Sequence, residues 1–128
     1  MRVLIDTHAF IWWNTEDERL SDRARRVMED EASEIFVSVG SIWEVATKVA
    51  KGRLEIPGDL ETYVDERLAA NRWVALSIDR RHVIRAASLP VIHRDPFDRI
   101  LIAQAQLDDM PIVTTDAAIT RYDVETIW

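Results

Sequence analysis

The sequence predicts an α/β domain, with a parallel or mostly parallel sheet covered by helices on both faces. Three observations carry this. Short apolar runs alternate with helical patterns along the whole chain. The first run, Val3-Leu4-Ile5, is apolar at successive positions, as in a strand buried on both sides. At 128 residues and 48% hydrophobic composition, the chain is long enough to bury a core as one domain, residues 1–128.

The elements follow in order. The strand ending at Asp6 is succeeded by HAFIWW, which reads as a helix, and SDRARRVMEDE from Ser21 reads as a second, highly charged one. EIFVS (34–38) is a strand. In SIWEVATKVAKG, Ile42, Val45, Ala46 and Val49 fall on one helical stripe and Gly52 supplies a stop. The segment from Pro57 to Asn71 is expected to be helical, with Leu60, Tyr63, Val64 and Leu68 inward. WVALSI (73–78) is strand-like, and DRRHVIRAASL is a helix closed by Pro90. DPFDRILIAQAQL is helical and apolar on more than one side, which predicts a buried helix. PIVTT (111–115) and VETIW (124–128) complete the strands. FIWW sets four bulky residues in succession; Phe10 and Trp13 are expected in the core, with at least one ring near the surface.

Composition excludes several chemistries. With no cysteine there are no disulfides, thiolate metal sites or thiol nucleophiles. Only three glycines occur, too few for a phosphate-cradling loop. No Ser/His/Asp arrangement shows a hydrolase elbow. The three histidines lack a ligand spacing, and all are read as non-metal, with His93 a bystander at the cleft. No signal peptide or membrane-length apolar segment is seen, so a soluble cytoplasmic protein with no membrane partner is expected. A formal charge of −7 disfavours a passive nucleic-acid binder, unless the acids gather around cations.

Four acids occupy similar places. Asp6 ends the first strand, Glu44 starts a helix after the second, Asp98 lies in the first turn of the DPFD helix, and Asp116 follows IVTT. Each has a capping alternative. SIWE has capping-box spacing, with Ser41 as cap and Glu44 reaching back; Glu44 and Lys48 also form an i,i+4 pair. Asp95 is a natural N-cap ahead of Pro96. Parallel topology, however, brings strand ends to one edge, where ligands collect. Converging carboxylates repel unless a cation neutralises them, and hard oxygen donors select Mg²⁺ or Mn²⁺. Thr7, Ser41 and Thr115 are candidate donors that aim the carboxylates.

IDTHAFIWW, SIWEVATKVAKGRL, HRDPFDRILIAQA and IVTTDAAI, in this order, resemble the PIN-domain ribonucleases, and more narrowly the VapC toxins of bacterial toxin–antitoxin pairs. The resemblance implies a PIN-like three-layer α/β/α sandwich. It implies Asp6, Glu44, Asp98 and Asp116 as an acidic quartet, with Asp6 and Asp98 holding Mg²⁺ (or Mn²⁺) most directly. Glu44 would complete the shell or orient water, and Asp116 would be a supporting site. It further implies hydrolysis of RNA phosphodiesters, a VapB-type antitoxin and a homodimer. Lys48, Arg94 and Arg99 are candidates to steer the RNA backbone. A receiver-type signalling module would need paired acids after the first strand and a late lysine; Asp6 follows Ile5 alone and no lysine follows Arg53. A PIN-like module that only binds partners is disfavoured by the four intact acids, and a ribonuclease H type by the helices directly after Asp6.

Overall fold

The computed structural model describes residues 1–128. Five strands, β1 (Arg2–Ile5), β2 (Glu34–Ser38), β3 (Val74–Leu76), β4 (Ile112–Val113) and β5 (Thr126–Ile127), form one sheet in the order β3-β2-β1-β4-β5. Every pairing is parallel. Six helices connect or flank them: α1 (Thr7–Asn14), α2 (Asp22–Glu29), α3 (Val39–Ala50), α4 (Leu60–Asn71), α5 (Arg80–Ser88) and α6 (Pro96–Leu107). No helix is long and apolar enough to cross a membrane.

Strand alternation divides the core in two. Val3 and Ile5 of β1, Ile35 and Val37 of β2 and Val113 of β4 join Phe10, Ala24, Met28 and Val64 on one face. Leu4, Phe36 and Ile112, at the intervening positions, join Leu101, Ile102 and Ala105 of α6 on the other. The sheet is thus the middle of three layers. Burying each large aliphatic side chain contributes about 1.5–3 kcal/mol. As expected, α6 is the most enclosed helix, with Leu101 through Ala105 all buried.

The strands are shorter than the apolar runs suggest. Trp73 is buried outside β3, and β4 and β5 pair over two residues each. Three local differences have clear causes. α3 starts at Val39, because Ser38 ends β2 and caps the helix at once, its Oγ accepting from the Gly40 N–H at 3.0 Å. The SIWE capping box therefore does not form; Ser41 lies inside the helix and Glu44 in its second turn. α4 waits until Leu60, since Gly58 turns the chain at φ +72° and Asp59 caps by accepting from Thr62 N–H. Of the FIWW rings Phe10 is buried as expected; Trp12 is half-buried against Trp128 beneath Arg19, and Trp13, expected in the core, is half-buried at its edge and donates to Asn71. The tryptophan left in solvent is Trp43, 62% exposed.

Candidate active site

The strand order reverses at β1, so the carboxyl ends of β1 and β4 meet at the switch point. Asp6 stands there and is buried. Its backbone N–H donates to Val113 across the gap, and its Oδ1 caps α1 by accepting from Ala9 N–H at 2.7 Å. The capping role and the strand-end role hold together. Its Oδ2 accepts from Thr114 Oγ1 at 2.5 Å. Alternation explains this partner: Leu4 and Ile112 face the α6 layer, so Asp6 and Thr114, two residues on, face it too. Thr115 points away and is exposed, and Thr114 takes the donor role expected of it.

Thr114 also ties in Asp116, whose N–H donates to the same hydroxyl at 3.0 Å. Asp116 Oδ1 accepts from Ala118 N–H at 2.8 Å and opens a short 3₁₀ turn, Ile119–Arg121. Asp98 enters from the first turn of α6, at its positive end. Asp95 is the cap of that helix, with Oδ1 accepting from Phe97 and Asp98 N–H groups, and Pro96 fits the first turn because it has no N–H to satisfy.

Electrostatics join these groups. Burial pushes the Asp6 carboxyl above the usual range, against the hydrogen bonds from Thr114 and Ala9; the charge of Asp116 adds to the rise. Burial likewise pushes Asp98 up to about 7, opposed by a hydrogen bond from His93 and reinforced by Asp95 and Asp116. Asp116 therefore bears on both Asp6 and Asp98. Carboxylates from the ends of β1 and β4 and the start of α6 share one field.

Glu44, half-buried on α3, lies across a hollow of about 160 Å³ from Asp95 and Phe97. Its carboxylate is 4.0 Å from Lys48 Nζ, and Lys51 and Arg53 line the same hollow. Arg94 is exposed. Arg99 turns inward and is no free cation: it donates to the carbonyls of Ala86, Leu89, Pro90 and His93. Two further residues join the site: His93, expected from the sequence only as a bystander at the cleft, and Tyr122, which carries no local signal. His93 Nε2 sits 3.0 Å from Asp98 Oδ2, and Tyr122, 29 positions along, meets the other ring nitrogen at 2.8 Å.

No three acidic or imidazole side chains close into a tight ligand cage. The donor set nonetheless suits a hard divalent cation that keeps several waters and takes few protein oxygens, as Mg²⁺ does. Two buried hydroxyls agree with that fit. Thr7 Oγ1, beside Asp6, and Ser41 Oγ, one turn before Glu44, have no hydrogen-bond partner in the chain, so neither aims a carboxylate as the sequence leads one to expect.

Comparison with known proteins places this architecture. The model of the family described as PIN domain matches residues 3–125. Ribonuclease VapC22 of Mycobacterium tuberculosis is 29% identical over 122 residues, covering 94% of this chain and 91% of that protein. The fold matches a crystal structure of VapBC2 from Rickettsia felis bound to a promoter DNA fragment, with a TM-score of 0.74 and 12% identity over 98% of this chain and 97% of the other. It also matches VapBC-5 of M. tuberculosis, a toxin–antitoxin family member, with a TM-score of 0.63 and 15% identity over 98% and 96% of the two chains.

Proposed function

The chain belongs to the PIN domain family, and from that premise we propose that it is an endoribonuclease dependent on Mg²⁺ or Mn²⁺ and the toxin of a VapBC-type pair. One observation carries the reading: Asp6 and Asp98, raised by burial and by the shared charge of Asp116, form an anionic edge that a divalent cation would neutralise.

Asp6 and Asp98 would hold the cation, with Asp116 in support. A cation bound there supplies Lewis acidity toward the phosphoryl oxygens and the departing 3′-oxygen. Glu44, poised beside Lys48 at the hollow, accepts a proton from the attacking water and orients it in line with phosphorus. The P–O3′ bond breaks as the water oxygen bonds to phosphorus, leaving a 5′-phosphate and a 3′-oxygen that takes its proton from solvent to become the hydroxyl. Lys48, Lys51 and Arg53, on the rim of that hollow, attract the RNA backbone.

The VapC-type relative and the VapBC structural neighbours support an antitoxin partner of the VapB kind. A homodimer is supported by the large apolar side chains left in solvent on α3 and α5, Val39, Trp43, Val83 and Ile84. One domain spanning the chain, working in the cytoplasm, completes the proposal; the absence of cysteine agrees with a reducing compartment.

The test is cleavage of single-stranded RNA by purified chain freed of antitoxin. Cleavage should require Mg²⁺ or Mn²⁺, stop with EDTA, and disappear in Asp6→Ala and Asp98→Asn with native circular dichroism. Metal-independent cleavage surviving both substitutions would overturn the reading.

A further inference from the structure

We propose that His93 is a positioning residue that locks Asp98 for cation binding, and that Tyr122 fixes the imidazole tautomer needed to do so. This rests on the assignment of Asp98 to the metal centre made above.

The direction of each hydrogen bond follows from counting donors. The Tyr122 phenol oxygen is 3.1 Å from Arg99 Nη1 and 3.3 Å from the His93 backbone N. Both of those groups can only donate, so the phenol oxygen accepts from them and its own hydrogen must go elsewhere. His93 Nδ1 lies at 2.8 Å, against 3.5 Å for the His93 carbonyl. The phenol therefore donates to Nδ1, and the ring hydrogen resides on Nε2, which donates to Asp98 Oδ2 at 3.0 Å. The donors run one way, from Arg99 to Tyr122 to His93 to Asp98. Arg99 anchors the series, because its guanidinium also holds the carbonyls of Ala86, Leu89 and Pro90.

The consequence lies in which oxygen stays open. His93 occupies Asp98 Oδ2 with an uncharged N–H, fixing the carboxylate plane while Oδ1 has no such partner. A lysine or arginine in that place would hold the carboxylate equally well but would repel the cation. Thr114 likewise holds Asp6 Oδ2 with a neutral hydroxyl, although Asp6 Oδ1 is also engaged, by the Ala9 N–H. Supporting donors of this type typically alter metal affinity by 10- to 100-fold when removed.

Two measurements test this. Mn²⁺ titration of the full-length chain, followed by the free-ion paramagnetic resonance signal, should show about 10- to 100-fold weaker binding in His93→Ala. Tyr122→Phe, which removes one oxygen and keeps the ring, should weaken binding by several-fold. Folding is checked by thermal unfolding in EDTA. Folded variants that bind Mn²⁺ as wild type does would overturn the proposal. Asp98→Ala is the control on the underlying reading: if it too binds Mn²⁺ normally, the metal-centre assignment itself fails. Nitrogen-15 imidazole spectra of the metal-free chain at pH 8, with Asp98 ionised, should show His93 as the Nε2–H tautomer, reverting to a mixture in Tyr122→Phe. An Nδ1–H ring in wild type would overturn the relay.

Discussion

His82 and His93 each place Nε2 3.0 Å from an aspartate Oδ2, one pair at each end of α6. In both, the other ring nitrogen accepts a hydrogen bond, from the Asp79 N–H in the first and from Tyr122 in the second. The pairs differ in the company kept by the carboxylate. Asp108 sits at the negative end of α6, where Arg81 Nη2 approaches to 3.7 Å, and His82 is 2% exposed. Asp98 sits at the positive end, pushed up by burial and further by the charges of Asp95 and Asp116. One pair closes a joint between α5 and α6. The other leaves negative charge in excess beside a cleft. An imidazole–carboxylate contact is thus not by itself a functional signature; the sign of the surrounding charge decides.

That comparison breaks most sharply under substitution of the acids. Asp98→Asn should lower RNA cleavage by about 10³-fold or more, since it removes a charge the cation needs. Asp108→Asn should change cleavage rates by less than about threefold. Comparable losses in both would erase the distinction.

His82→Ala should then cost about 2–3 kcal/mol of unfolding free energy in denaturant titration. It opens a buried site and leaves Asp108 without its donor. Mn²⁺ affinity should be unchanged, the reverse of the pattern expected at His93.

Stability against pH sharpens the contrast further. Asp98 holds its proton up to about 7 when folded, against about 4 in an unfolded chain. The folded state therefore binds more protons in that window. Its contribution is fully present below about pH 4 and is lost as pH rises toward 7. In EDTA, the melting temperature should carry a falling component across that range. Asp98→Asn should remove that component and stabilise the metal-free chain at pH 8 by about 1–2 kcal/mol. An unchanged slope in that variant would assign the effect elsewhere.

The smallest effect belongs to the exposed partner of the structural pair. Arg81→Ala should shift unfolding by no more than about 0.5 kcal/mol, because its guanidinium is well solvated.

The sequence shows some of these features and hides others, for physical reasons. Asp6 was legible because an apolar run that stops at an acid marks a strand end. Asp98 was legible because DPFD fixes a helix start. Glu44 was placed a turn too early, since Ser38 and Ser41 are both credible caps and only the end of β2 chooses between them. The choice of Thr114 over Thr115 depends on strand parity, which the length of a two-residue strand does not reveal. His93 and Tyr122 meet through tertiary packing across 29 positions, with no periodicity to announce it. Trp43 stands in solvent beside the Ile42–Val45 stripe that packs, an exposure that simple apolar counting does not announce.

Arg99 gathers the main-chain carbonyl of Ala86 in the last turn of α5 and those of Leu89, Pro90 and His93 in the stretch between α5 and α6. That stretch has no regular hydrogen-bonded ladder, yet a single planar side chain holds its carbonyls in place. It should resist proteolytic nicking better than a loop without such ties. A lysine, with one compact head group, cannot reach the same set of acceptors, so even this mild replacement would turn a rigid strap into a slack one.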